Sequence, residues 1–401
     1  MKSNLLVNFF FILYERWRLK VGCIHKETKS RTEVNVEKMS ISKLPKELWT
    51  VIGQKLNTTI DVTRFRGTCC LWRSSLSHPS PNLCIPHHFF SLLQTKIYSI
   101  QPSSHDHNPS TSSSCSNKGW LIKVFQDPNS SKLYLLDLFT NERLTIEETM
   151  EKYLNLMNFR VVELFKLYTL CRKVEIDFSF EPNSYVCKVI LFSIEDRCMV
   201  FELCSDKTLK VSNIGKKKKT VLKDDGAENE YFDDIILYKG QVYVVDKMGT
   251  VFWINALSLK LFQFSPKNVC CGESKMHVSM NCDINKKQLV EFDGSLYVID
   301  LYVNDKKYYD GYFSKDVFVE VFKLDQEWGK WLDVKDLGDV SFVLGKDSNF
   351  ALLAKEFYGC EGNCIYFASQ FRTFCFSLES LVSKPPNMFW PCLRLFHPKN
   401  E

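Results

Sequence analysis

Three stretches of the chain share one short form, a turn glycine followed by an alternating strand that contains a tyrosine. They are Lys239-Gly240-Gln241-Val242-Tyr243-Val244-Val245-Asp246, Asp293-Gly294-Ser295-Leu296-Tyr297-Val298-Ile299-Asp300 and Glu361-Gly362-Asn363-Cys364-Ile365-Tyr366-Phe367, with glycines 54 and 68 residues apart. Alternation sends successive side chains to opposite faces of a strand, and glycine supplies the positive φ of a tight hairpin. A hairpin unit of this kind cannot bury both faces alone, so it needs neighbours stacked on either side. Four short strands recurring at about 40 to 50 residues are what propeller blades give. The irregular period implies degenerate blades with loop insertions, one of which is visible at 215–230, where Lys216 to Lys219 precede Asp224, Asp225, Glu228 and Glu230.

The same texture runs from Trp120 to Phe396: short runs rich in Val, Ile, Leu, Phe and Tyr, broken by Gly, Asn, Asp and Lys. This predicts strands at 120–125, 132–138, 185–192, 198–204, 235–238, 241–246, 250–255, 289–292, 295–301, 318–324, 364–368 and 373–378. A composition of 45% hydrophobic residues with 31 Phe and 16 Tyr suits a strand-rich globular chain. Roughly 280 residues at about 40 to 50 per blade would allow six or seven blades, and the sequence does not fix the number. Ahead of this region lies a polar tract, 101–117, almost free of apolar residues and read as a loop.

Residues 41–80 have a different period. Leu44, Leu48, Val51, Ile52 and Leu56 fall on one helical stripe, with Pro45 suited to a first turn and Glu47 near the positive end of the helix dipole. Asp61 is the expected N-cap of a second helix, and Phe65, Cys69, Trp72 and Leu76 recur on one face. Forty residues cannot bury so many large groups unaided. The leftover apolar surface needs the rest of the chain or another protein.

The ordered run Leu44-Pro45, Glu47-Leu48, Ile52, Leu56, Asp61, Arg64-Phe65-Arg66, Cys69 and Trp72-Arg73 resembles the F-box. In that family a three-helix motif docks on a Skp-type adaptor, which hangs from a cullin in an SCF ubiquitin ligase. The region after it resembles the kelch-like, KIB-type β-propeller domain of plant F-box proteins. That likeness rests on Phe232-Asp233-Asp234 with the strand after it, Gln288-Leu289-Val290-Glu291, Val321 to Asp325 with Trp328 and Trp331, Leu337-Gly338-Asp339, and Gly362 to Phe367.

The resemblance implies a mainly β chain with a small N-terminal α module: a three-helix F-box at 41–80, then an irregular kelch-like β-propeller at 120–398. It implies a non-catalytic substrate-recognition subunit of an SCF-type E3 ligase, with adaptor contact through Leu44, Pro45, Leu48, Ile52, Leu56, Phe65 and Trp72. A protein target would sit on the propeller. A scaffold or inhibitor with a vestigial F-box is the alternative.

Chemistry in the residues points the same way. Gly-x-Ser-x-Gly, a phosphate-cradling Gly-x-x-x-x-Gly-Lys-Ser/Thr loop and His-Glu-x-x-His are all absent from the sequence. Neither Cys270-Cys271 with His277 and Cys282, nor Cys360 with Cys364, has the paired spacing of a zinc site, and the pair His87-His88 beside Cys84 reads as a polar connector. No catalytic residue, metal or cofactor is therefore expected. A net charge of +5, dispersed along the chain, gives no basic face for nucleic acid.

The 16 cysteines are read as reduced thiols in cytoplasm or nucleus, and Lys216 to Lys219 as a possible import address. The apolar run 5–14 is too short to span a bilayer, so no membrane partner is expected. Residues 1–38 are read as a dispensable extension, with the functional chain beginning at Met39. Trp253, Trp328, Trp331 and Trp390 could serve either a binding surface or inter-blade packing.

Overall fold

The structure is a computed structural model; it describes residues 46–385 except 55, 57–58, 69, 77–84, 88–89, 103–117, 127–132, 145–158, 174–179, 183–184, 195–196, 215, 217, 223–230, 267–283, 308–312 and 370–371. The expected extension at 1–38 lies outside these residues. By internal packing the chain falls into two units, Met1–Val51 and Ile52–Glu401. Among the described residues three short helices come first: α1 (Lys46–Gln54), α2 (Thr59–Thr68) and α3 (Cys70–Ser75). None of the described helices is long and apolar enough to cross a membrane.

Among the described residues after α3 the regular structure is strands, apart from one 3-10 turn at Ala354–Glu356. A first group holds Phe90–Pro102, Trp120–Gln126, Leu133–Leu136 and Phe159–Lys173, and a second holds Val186–Ile194, Arg197–Cys204, Leu209–Asn213 and Thr220–Leu222. Their ladders join at a single residue pair, Tyr168 with Val189, so they act as two sheets sharing one edge contact. The third sheet comprises Phe232–Tyr238, Gln241–Asp246, Val251–Asn255 and Lys260–Gln263. The fourth comprises Ile284–Phe292, Ser295–Lys307, Phe313–Asp325 and Lys330–Asp333. The fifth comprises Val340–Leu344, Asn349–Leu353, Cys364–Ser369, Arg372–Ser377 and Ser383–Lys384.

Each sheet packs on the next. Leu92, Leu170, Val189 and Val200 fill the space between the first and second. Phe201, Val211, Phe232 and Val244 join the second to the third, and Tyr238, Val245, Leu289 and Val298 join the third to the fourth. Ile299, Val321, Phe342 and Phe367 join the fourth to the fifth. Ile97, Leu121, Phe350 and Tyr366 then join the fifth back to the first, which closes the ring. The described residues thus form a β-propeller of five sheets, where the length of the region would allow six or seven blades. The first and fourth sheets carry strands of 13 to 15 residues, which consume length without adding a blade.

Sandwiching between neighbours explains the residue pattern. Val340–Leu344, well inside a sheet, is buried at all five positions, whereas the outermost Lys260–Gln263 has no buried residue. Inner strands therefore read as continuous apolar runs and outer ones as polar. Among the described residues the ring closes without a shared strand. Gly119 N–H donates to the Glu356 carbonyl at 2.8 Å, Tyr358 N–H donates to the Gly119 carbonyl at 3.0 Å, and Lys346 N–H donates to the Phe139 carbonyl at 2.9 Å. The Trp120 and Tyr358 rings stack at 4.6 Å beside this seam.

Two expectations need correction. The strand region opens well ahead of Trp120, since Phe90–Pro102 pairs with Trp120–Gln126 and the tract 101–117 connects partners within one sheet. Polar composition marked a connection there, not a boundary. The third copy of the hairpin form also differs from the other two. Lys239-Gly240 and Asp293-Gly294 both adopt positive φ and turn between antiparallel strands. Cys364–Ser369 instead runs parallel to Val340–Leu344, with Gly362 packed so closely on the Gly338 carbonyl that a Cβ would stand 2.7 Å from it.

One carboxylate joins four sheets at their inner strands. Asp234, at the start of the third sheet, accepts from Lys188 Nζ of the second at 2.8 Å, from Leu289 N–H of the fourth at 2.8 Å and from Asn349 Nδ2 of the fifth at 2.7 Å. Asp233 beside it accepts from Lys287 N–H at 2.9 Å and pairs with Lys207 at 2.7 Å. Lys123 of the first sheet, fully buried, pairs with Asp347 of the fifth at 2.5 Å and also reaches Asn141. Removing one member of a buried pair strands the other in low dielectric. Asp234→Ala is expected to destabilise the ring by about 3–5 kcal/mol in urea unfolding. Lys207→Ala removes a part-exposed ammonium but strands the buried Asp233 carboxylate, so it should also destabilise the ring, by less than Asp234→Ala because Asp233 keeps Lys287 N–H.

Candidate functional site

Residues that the fold does not consume are the candidates for binding. In the first unit, α1 turns Leu48 and Val51 to solvent, 45% and 52% exposed, while Trp49 between them is buried. Three residues apart on a helix, these two side chains share a face. In the second unit Ile52 and Leu56 are half-buried, and a Cβ added to Gly53 would stand 1.9 Å from Leu76 Cδ1. Phe65 and Trp72 are both buried and stack at 4.6 Å, which holds α2 against α3.

The seven residues expected to contact an adaptor therefore separate. Leu48 is displayed, Ile52 and Leu56 are partly covered, Phe65 and Trp72 pack the helices, and Leu44 and Pro45 lie outside the described residues. The face read as one helix through Phe65, Cys69, Trp72 and Leu76 is two helices, α2 ending at Thr68 and α3 beginning at Cys70.

Arg66, in the same run, bridges these helices by donating to the Arg73 carbonyl at 2.9 Å and to that of Leu76. Spacing alone did not reveal that role. Asp61 sits inside the first turn of α2 rather than at its N-cap, where its charge still favours the helix dipole. It also lies near the first sheet: the Tyr98 hydroxyl has its pKa raised by burial first, then by the Glu163 and Asp61 carboxylates.

On the propeller the four tryptophans divide. Trp253 stacks on Phe262 at 4.7 Å and Trp331 packs against the core between the third and fourth sheets. Trp328 is 76% exposed, and Trp390 lies outside the described residues. A fixed turn presents Trp328. Asp325 Oδ1 accepts from Glu327 N–H at 3.1 Å and Trp328 N–H at 3.2 Å, and Gly329 takes φ 56°. Gln326 bonds the Tyr238 hydroxyl and receives Lys239 Nζ at 3.2 Å, while Tyr238 donates to the Gly294 carbonyl at 2.7 Å.

The same turn recurs at Asp137 and Asn255, whose side-chain oxygens accept N–H groups two and three residues on. At Ser377 the hydroxyl accepts from Ser380 N–H. All four are followed, four residues later, by a left-handed residue: Asn141, Leu259, Gly329 or Leu381. This Asp/Asn/Ser spacing is a repeat signal that the glycine pattern overlooked.

The buried ionic groups offer little to a substrate, because Asp234 already accepts three hydrogen bonds. Among the cysteines, burial pushes the Cys360 thiol up to about 11, which keeps it protonated and unreactive near neutrality. Cys364 is raised too, first by its hydrogen bond with Cys375 and then by burial. Among the described residues no cluster of three or more His, Cys, Asp or Glu could hold a metal ion. Cys84, His88, Cys270, Cys271, His277 and Cys282 lie outside them. In the lysine run, Lys219 reaches both oxygens of buried Glu202 at 2.8 Å, while Lys216 and Lys218 are exposed.

A family model described as the KIB1-4 beta-propeller matches residues 89–387. F-box protein At2g26160 of Arabidopsis thaliana is 30% identical over 350 residues, covering 84% of this chain and 98% of that protein. F-box protein At4g35733 of the same plant is 28% identical over 375 residues, covering 89% and 97%. F-box protein SKIP23, again from Arabidopsis thaliana, is 27% identical over 359 residues, covering 81% and 83%.

Trp328 belongs to a surface and not to the core, and stability measurements distinguish the two. Trp328→Ala should shift the urea unfolding free energy by less than about 0.5 kcal/mol. Phe367→Ala, in the core between the fourth and fifth sheets, should cost about 3–5 kcal/mol.

Proposed function

The chain belongs to the KIB1-4 β-propeller family, whose relatives above are F-box proteins, and on that footing we propose that it is a substrate-recognition subunit of an SCF-type ubiquitin ligase. Its helices bind a Skp-type adaptor and, through it, a cullin. Its propeller binds the protein to be modified. The observation that carries the reading is the display of Leu48 and Val51 on α1, apolar groups that the fold leaves in water although Trp49 between them is buried. Apolar side chains held on a rigid helix face suit a partner's groove.

The work of such a subunit is positional. Tethering a target near a charged conjugating enzyme raises its effective concentration around the transferable ubiquitin, and no acid, base or nucleophile is required of this chain. The proposed setting is cytoplasm or nucleus, where reduced thiols such as the described free cysteines are the rule.

Calorimetric titration of the full chain with a purified Skp-type adaptor tests the proposal. Leu48→Ala/Val51→Ala should weaken binding at least tenfold, as should Leu44→Ala/Pro45→Ala, with far-UV and near-UV circular dichroism unchanged. No binding by the parent chain would remove the adaptor role and leave a propeller scaffold with a vestigial F-box, and equal affinity for the parent and both variants would overturn the contact through this helix.

A further inference from the structure

Glycine is the poorest helix former after proline, and near a helix end it ordinarily serves as a left-handed cap. Gly53 is no such cap, because α1 runs on through Gln54 with Gly53 inside it. Close packing supplies another reason for a glycine. Gly53 is buried, and a Cβ built on it would stand 2.5 Å from Leu76 Cγ and 3.1 Å from Leu76 Cδ2, with Cδ1 nearer still. The isobutyl group of Leu76 thus fills the space that any other side chain would take. Turning one methyl aside would not clear it.

Both sides of this contact are held by hydrogen bonds. Leu76 directly follows α3, and its carbonyl accepts from Arg66 Nη1 of α2, which also donates to the Arg73 carbonyl at 2.9 Å. Arg73 Nε returns a bond to the Arg66 carbonyl at 3.3 Å, and the stacked rings of Phe65 and Trp72 join the same two helices through their side chains. Leu76 therefore carries a fixed helix pair onto the last turn of α1. There the Gly53 carbonyl accepts from Leu56 N–H at 3.1 Å, which ties down the backbone of the glycine as well. A bulkier residue at 53 would have to separate two anchored segments, a form of overpacking.

We propose that Gly53 is a positioning residue for the adaptor contact: its missing side chain seats Leu76 and so sets the last turn of α1 against α2 and α3. A docking module of short helices binds well only when its parts keep one arrangement, because a helix left loose must be ordered at the moment of binding. The role at the adaptor rests on the function proposed above. The seating of Leu76 does not, and it is read in the free chain.

Gly53→Ala is the informative substitution, since on helix propensity alone it favours α1. The full chain and its variants are titrated calorimetrically with a purified Skp-type adaptor, and amide hydrogen exchange at Leu56 is followed in the free chain. Gly53→Ala should weaken adaptor binding about tenfold and speed exchange at Leu56, with the urea transition of the propeller unmoved. Gly53→Ala/Leu76→Ala, which gives the space back, should bind at least about threefold tighter than Gly53→Ala and slow the exchange again. General damage to the helices would not be undone by a second truncation. Binding by Gly53→Ala equal to that of the parent, or a double variant no tighter than the single one, would overturn the proposal. No binding by the parent would overturn the adaptor role together with the function it rests on, and exchange at Leu56 would then report the seating of Leu76 alone.

Discussion

The propeller depends on one buried carboxylate being completely used. Asp234 meets donors from the second, fourth and fifth sheets while belonging to the third, so its desolvation is offset only when all four inner strands are in place. An ionised group left dry without those partners would cost several kcal/mol. This makes the ring an all-or-none object. The apolar seams between sheets give the favourable burial but would tolerate sliding. The directional hydrogen bonds at the inner strands fix how each sheet is set against the next. Lys123 with Asp347 does the same for the first and fifth sheets, where no shared strand among the described residues closes the circle.

Much of this was legible in the sequence, for identifiable reasons. Inner strands such as Gln241–Asp246 announce themselves because they are buried on both faces and bounded by a turn glycine. Long strands such as Phe159–Lys173 do not, because their half-exposed surface mixes Arg, Glu and Lys with Leu and Phe. The five-sheet count was hidden by those long strands, which stretch the period without adding a unit. The Asp233-Asp234 pair was visible as letters and as part of a family likeness. Its role was invisible, because all the donors to Asp234 lie more than forty positions away in the chain.

The helical segment was read correctly in type and imperfectly in boundaries. Its stripe of leucine and isoleucine predicted α1, yet the large side chain buried there is Trp49, which lies off the stripe, while Leu48 and Val51 on the stripe are displayed. Pattern shows that a helix has an apolar face; it cannot show whether that face is turned to its own chain or to a partner. The same limit applies to the tryptophans. Trp328 and Trp331 are three positions apart on one hairpin, and only the turn built by Asp325 and Gly329 separates the exposed ring from the packed one.

These features describe a chain with exposed groups in two different kinds of structure: an apolar pair on a short helix, and the turns of a strand-built ring. A substrate receptor needs both at once. Light scattering coupled to gel filtration, applied to the full chain mixed with a Skp-type adaptor and a cullin, is the most direct test. The account predicts one peak whose mass is that of all three chains in equal number. Elution of this chain apart from the adaptor, at the 46.8 kDa of the single polypeptide, would contradict it.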